Sequence, residues 1–100
     1  MVQDDAIWLV SATMEQDAIG QQIPMESRRR VLCQIGEISR REWYDAGSHG
    51  LKPEIMFLVF CGDYSGEEIV EYNGIRYAVY RTYRTDQDTV ELYCERRAGA

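Results

Sequence analysis

The most constraining feature of this chain is the dipeptide Asn73-Gly74, set between two segments of alternating character, Glu67 to Tyr72 and Ile75 to Arg84. Both central positions of a type I′ turn need a positive φ, which Asn and Gly accept. Counting outward from the turn sets Tyr72 opposite Ile75, Glu71 opposite Arg76, Val70 opposite Tyr77 and Ile69 opposite Ala78. Apolar residues meet apolar ones and acid meets base, in cross-strand pairs worth about 0.2–1 kcal/mol each. Turn chemistry and side-chain pairing agree on one antiparallel hairpin.

The rest of the chain reads in the same idiom. Ala6 to Met14 is apolar with β-branched and aromatic members and predicts a first strand. Met14 to Pro24 is polar and broken by Gly20 and Pro24, which predicts a long hairpin connection or a flap. Arg28 to Ile38 alternates through Val31, Cys33 and Ile35 and predicts a half-buried strand, relaxed at Gly36. Ile55 to Cys61 is apolar without interruption, the pattern of a strand covered on both faces. Gly62 to Gly66 and Thr85 to Asp88 carry turn residues, and Thr89 to Glu95 predicts a last strand with Val90, Leu92 and Cys94 on one face.

One segment breaks the β pattern. Ser39-Arg40-Arg41-Glu42 is a capping box, in which Ser39 accepts from the Glu42 amide and the Glu42 carboxylate reaches back. Ala46-Gly47 supplies a stop, so the helix has about two turns, too few to persist alone in water. It must dock, and Trp43 is the expected anchor. Ser48 to Pro53 then reads as a loop. Five or six strands and one short helix predict a mainly β fold, a small antiparallel barrel or sandwich. At 100 residues the chain is expected to be one domain, residues 1–100, with a single core.

Charge narrows the partners. Seventeen acidic residues against eleven basic give a net charge of −6. Sequence-independent binding to nucleic acid relies on Lys and Arg neutralising phosphates, so the chain as a whole is expected to be repelled by DNA and by an anionic membrane surface. The acidic start Met1-Val2-Gln3-Asp4-Asp5 lacks the basic region of a signal peptide, and the longest apolar run has seven residues, far short of a membrane span. Cys33, Cys61 and Cys94 are odd in number, contain no C-x-x-C pair and read as buried thiols in a reducing compartment.

Candidates for chemistry are few. His49 is the one histidine, and each cysteine is predicted in an apolar strand, where burial raises a thiol's pKa and makes it inert. The count of one His and three Cys could supply a zinc site, but the spacing lacks the usual paired ligands. Glu67-Glu68 and Asp86/Asp88 are paired carboxylates that read as a solvated strand end and a turn. No phosphate-cradling glycine motif is present. No catalytic residue, cofactor or metal is therefore expected. Arginine is uneven: ten of the eleven basic residues are Arg, clustered at Arg28-Arg29-Arg30, Arg40-Arg41 and Arg96-Arg97. Such residues suit bidentate contacts with carboxylates, either between subunits or within one molecule. A single-stranded nucleic-acid or peptide surface is the alternative, since Arg76, Tyr77, Tyr80, Arg81, Tyr83 and Arg84 combine stacking and charge. In strict alternation these side chains divide between both faces of a strand, which leaves no single platform.

Several blocks resemble a known family. Ser39 to Gly47, Gly50 to Glu54, Asp63 to Glu67, Glu71 to Gly74, Tyr80 to Tyr83 and Glu91 to Tyr93, with Asp17-x-x-Gly20 before them, are similar to the head–tail adaptor, or head-closure, proteins of tailed bacteriophages. The likeness runs from about Ile7 to Gly99. It implies a non-enzymatic virion protein with a small β-barrel, a short helix and mobile loops, made in the bacterial cytoplasm and resident at the head–tail interface. The partners implied are further copies in a ring, portal and adaptor proteins of the head, a tail-terminator protein, and phage DNA passing without specific binding. A channel loop is expected near His49, Leu51, Lys52 and Pro53, and a subunit or partner contact around Arg40, Trp43 and Tyr44.

Overall fold

The computed structural model describes residues 5–96. The acidic start before Asp5, Arg97 of the last arginine pair and the end of the family likeness at Gly99 lie outside the described residues. Six strands and one α-helix follow in the order β1 (Asp5–Gln16), β2 (Gln22–Gly36), α1 (Arg40–Gly47), β3 (Pro53–Phe60), β4 (Ile69–Tyr72), β5 (Ile75–Arg84) and β6 (Thr89–Arg96). All strand pairs are antiparallel, and the order β1-β2-β3-β6-β5-β4 closes on itself as a barrel. The expected small antiparallel β-barrel with one short helix is what the chain forms.

The Asn-Gly turn behaves as its chemistry dictates. Asn73 and Gly74 take φ of 52° and 78°, and the pairs from Tyr72↔Ile75 to Ile69↔Ala78 are those counted from the sequence. A Cβ on Gly74 would meet nothing within 4 Å, so any substitution there is resisted by backbone conformation alone. Gly74→Val is expected to lower stability by about 1–3 kcal/mol, because a β-branched residue is strained at positive φ. A urea midpoint equal to the parent's would show that the turn does not need that conformation.

Closure places alternate side chains inside. Ile7 and Leu9, Val31 and Cys33, Phe57 and Val59, Val70, Tyr77, Leu92 and Cys94 meet in one core. Phe57 is its largest fully buried member, and its ring contacts Tyr72 and Tyr77 edge-on at centroid distances of 5.5 and 6.0 Å. The uninterrupted apolar run of β3 is not covered on both faces. Phe57 and Val59 are buried while Met56 and Leu58 are only half-buried and Phe60 is exposed, because a barrel of six strands has one interior and no second sheet over its outer wall. Cys61 lies beyond β3 in a 3₁₀ turn, half-buried, rather than in a strand; Cys33 and Cys94 are buried as expected.

The first two strands depart most from expectation. Met14 to Pro24 is neither a long connection nor a flap: β1 runs to Gln16, β2 resumes at Gln22, and the two stay paired to the Gln16↔Gln22 rung. The reversal is a short turn in which the Asp17 carboxylate accepts from the Ile19 and Gln21 amides at 3.0 and 2.9 Å. Gly20 supplies the φ of 86° that the turn needs. Beyond the Val10↔Ile69 rung, β1 has lost β4, and β2 pairs with β3 only at Gln34–Gly36, so the ribbon leaves the barrel as a two-stranded arm. A strand with water on both faces has no reason to alternate, which is why its polar sequence resembles a loop. The arm draws the molecule out to 51 × 31 × 24 Å, with a radius of gyration of 15.0 Å against about 13 Å for a typical domain of this length.

Candidate functional site

The helix owes its position to one carboxylate. Ser39 Oγ accepts from the Glu42 amide at 3.0 Å, the predicted cap. The reciprocal half of the box does not form, because the Glu42 side chain turns to the barrel instead. Its Oε2 accepts from the Tyr80 hydroxyl at 2.8 Å, and its Oε1 receives Arg81 Nη2. Two donors, one of them charged, outcompete a single backbone amide for the carboxylate. Trp43 is therefore not the anchor: it is 53% exposed and touches Tyr44 edge-on at 5.4 Å, while Ala46 is the one buried helical residue. The helix ends at Gly47, as expected, but the residue with positive φ that turns the chain away comes later. Gly50, at φ 79°, turns the chain so that the Leu51 amide reaches the Ala46 carbonyl at 3.1 Å.

A bulge in β5 completes the site. Val79 faces Cys94 and Arg81 faces Tyr93, which leaves Tyr80 as the extra residue. A bulge lets two consecutive side chains leave on the same side of a sheet. Tyr80 and Arg81 thus both point outward to Glu42, and Tyr83 shares the outer side through its Glu91 rung. Strict alternation, which predicted a division between the two faces, fails at this one residue. The Arg81 guanidinium lies 4.1 Å above the Tyr93 ring, Tyr80 and Tyr93 rings are 6.4 Å apart, and Tyr93 donates to Glu91 Oε1 at 2.7 Å. Between this wall and α1 opens a cleft of about 810 Å³, lined also by Arg41, Asp45, His49, Leu51 and Tyr83.

Burial and then the Glu42 carboxylate push the Tyr80 phenol well above its ordinary value of 10.0. Burial and Glu91 push Tyr93 up to about 12. A raised phenol makes the fold alkali-labile: the stability it contributes is complete below pH 10 and is lost as pH rises towards 12. Glu42→Gln removes the anionic acceptor, and its expected result is that the Tyr80 titration moves to lower pH while α1 loosens from the barrel. Ultraviolet alkaline titration reads the first effect, and an unmoved phenol transition would show that Glu42 does not hold Tyr80.

The sequence-derived candidates fall in three places. Arg40, Trp43 and Tyr44 lie with Ile38 and Ser39 around a shallow cleft of about 340 Å³ on the outer side of α1. His49 and Leu51 line the larger cleft, with His49 Nδ1 3.0 Å from the Asp45 carbonyl oxygen. Lys52 donates its amide to Glu95 Oε2 at 3.0 Å, and Pro53 is the first residue of β3 rather than part of a loop. His49 to Pro53 is thus a short connection tied at both ends, and the arm is the element that stands away from the barrel.

Ion pairs brace the arm where it leaves. Arg28 reaches Glu71 at 3.0 Å and covers the Trp8 ring at 4.6 Å, and Arg76 holds Glu26 bidentately at 2.7 and 2.9 Å. Arg29 pairs with Glu67 at 2.6 Å. Glu67 is not the solvated strand end expected from the sequence: it precedes β4 and is 9% exposed, drawn in by Arg29 and by the Ser65 amide at 2.7 Å. Asp86 is the turn residue expected, accepting from the Asp88 and Thr89 amides at 2.7 and 2.9 Å. Arg41, Arg81 and Arg96 also pair with carboxylates of the same chain. No sequence signal marks the bulge or the burial of Glu67; both depend on residues distant in the chain.

No family model matches this sequence, and no curated protein matches it.

Proposed function

We propose that this chain is a non-enzymatic structural protein of a tailed-phage virion, forming a ring at the head–tail connector that closes the DNA-filled capsid and offers the tail its docking surface. The observation that supports this reading is the β1–β2 arm, a braced ribbon exposing Met14, Ile19, Ile23 and Met25. A small barrel gains no core from such an element, whereas a ring subunit gains a contact to its neighbour. The resemblance of residues from about Ile7 to Gly99 to head–tail adaptor proteins supplies the setting. Portal and adaptor proteins bind on one side and a tail-terminator protein on the other. Arg40, Trp43 and Tyr44 offer an exposed partner contact, and His49 to Pro53 a channel-facing connection. The net charge of −6 keeps passing DNA from adhering to the wall.

Deletion of the gene from the parent phage tests the reading. Heads that package DNA, leak it and carry no tail are the expected particles. Intact, tailed, infectious particles would overturn it. A second reading is favoured by the Tyr80, Tyr83, Tyr93 and Arg81 wall, whose rings could stack single-stranded bases. A gel shift at physiological salt separates the two, since the head–tail reading expects no retardation of a single-stranded oligonucleotide.

A further inference from the structure

The arginines and acids lining the cleft beside α1 pair with one another, Arg41 with Asp45 and Arg81 with Glu42. The two halves of the second pair are fixed by unequal means. Tyr80 and Arg81 belong to the barrel wall: the β5 bulge aims both outward, the Arg81 guanidinium lies 4.1 Å above the Tyr93 ring, and Tyr93 is tied in turn to Glu91. None of these contacts involves α1. Glu42, by contrast, is carried by a helix of eight residues with one buried side chain, Ala46, and with Trp43 and Tyr44 turned to solvent. A helix this short does not persist alone in water, so α1 keeps its place through the Glu42 tie and the Ala46 contact. Beyond it the Lys52 amide is bonded to Glu95, so α1 can lift while β3 stays in the barrel.

We infer that Tyr80 and Arg81 form a carboxylate receptor of which Glu42 is the resident ligand, and that an acidic side chain of a partner protein takes the place of Glu42 as α1 lifts. The resident itself displays the complementarity: one carboxylate accepts from the Tyr80 hydroxyl at 2.8 Å and from the Arg81 guanidinium together, a charge-assisted pair of bonds. The receptor is reachable, since the Arg81 side chain is 42% exposed even while paired. A partner carboxylate makes the same two bonds and Glu42 passes into water, so the exchange costs little beyond the opening of α1. Elements with few buried contacts are the ones that open locally at low free energy. The inference goes beyond the virion reading and does not depend on it.

Acetate is the probe that tests the receptor. Glu42→Ala empties it, and titration of that full-length variant with acetate, against chloride at equal ionic strength, is expected to shift the NMR signals of the Tyr80, Arg81 and Tyr93 amides along a saturable curve with a Kd of about 1–100 mM. Adding Arg81→Gln to the variant abolishes the saturation. In the parent chain acetate has to displace Glu42. Hydrogen exchange of the α1 amides that bond within the helix, those of Trp43 and Ser48 among them, is expected to accelerate there by the factor 1 + [acetate]/Kd, while exchange in β5 and β6 is unchanged. At 0.5 M acetate and the weakest Kd of that range the acceleration is at least about fivefold. Shifts that do not saturate, saturation that survives Arg81→Gln, or α1 exchange in the parent indifferent to acetate would each overturn the inference. The parent measurement decides alone if Glu42→Ala does not fold. Both readouts use purified protein, so failure here is distinct from failure of the virion role, which the deletion phage reports.

Discussion

Phe57→Ala is expected to lower stability by about 3–5 kcal/mol, a large share of the 5–15 kcal/mol that separates folded from unfolded states in a domain of this kind. Phe57 is the largest of the fully buried side chains described in the barrel. Its ring is held by the edges of Tyr72 and Tyr77, and its strand by pairing with Ile35 on one side and Leu92 on the other. A closed barrel cannot collapse around the loss, because each wall is hydrogen-bonded to the next, and the cavity term adds to the lost transfer energy. Denaturant unfolding reads the effect; a loss below about 1 kcal/mol would mean that the core is not packed around this ring.

Arg29→Met is expected to cost about 2 kcal/mol at neutral pH. Breaking a fully buried pair costs 3–5 kcal/mol, and the figure is smaller here because 44% of the Arg29 side chain faces water. Burial alone would raise the Glu67 carboxyl, but the hydrogen bond from Arg29 and those from backbone amides win and hold it below 4.5. The sign follows from linkage. A depressed carboxyl contributes stability that is present above its unfolded value and is lost as pH falls through the folded one. In the variant burial is opposed by the amides alone, so less of that stabilisation remains to be lost. The gap between parent and variant is therefore widest at neutral pH and narrows on acidification below 4.5. Denaturant midpoints across that range check it, and a gap independent of pH would show that the pair is not the source.

The mainly β fold and the register of the β4–β5 hairpin were legible because their causes are local. Asn73-Gly74 permits one turn geometry, and the pairs on either side follow by counting. Ser39 capped α1 as read, since a cap needs only the residue three positions on. The same locality explains the failures. The capping box predicts Glu42 reaching back to its own helix terminus, but Tyr80 and Arg81, distant in sequence, compete for it and prevail. The arm has the sequence of a connection because a ribbon solvated on both faces carries no periodic signal, and only its pairing to the Gln16↔Gln22 rung reveals it as strand.

The amino-acid sequence by itself determined the mainly β class, the hairpin at Asn73-Gly74, the alternating core positions and the place where the helix begins. Each is set by φ preferences and by contacts within a few residues. The tertiary structure alone decided that the barrel closes, that Tyr80 bulges to gather a tyrosine–arginine wall against α1, that Glu67 is buried with Arg29, and that β1 and β2 run on past the barrel as a paired arm. These depend on which distant strands become neighbours and which polar groups then compete for one partner, a choice made by the global packing minimum rather than by any short stretch of chain.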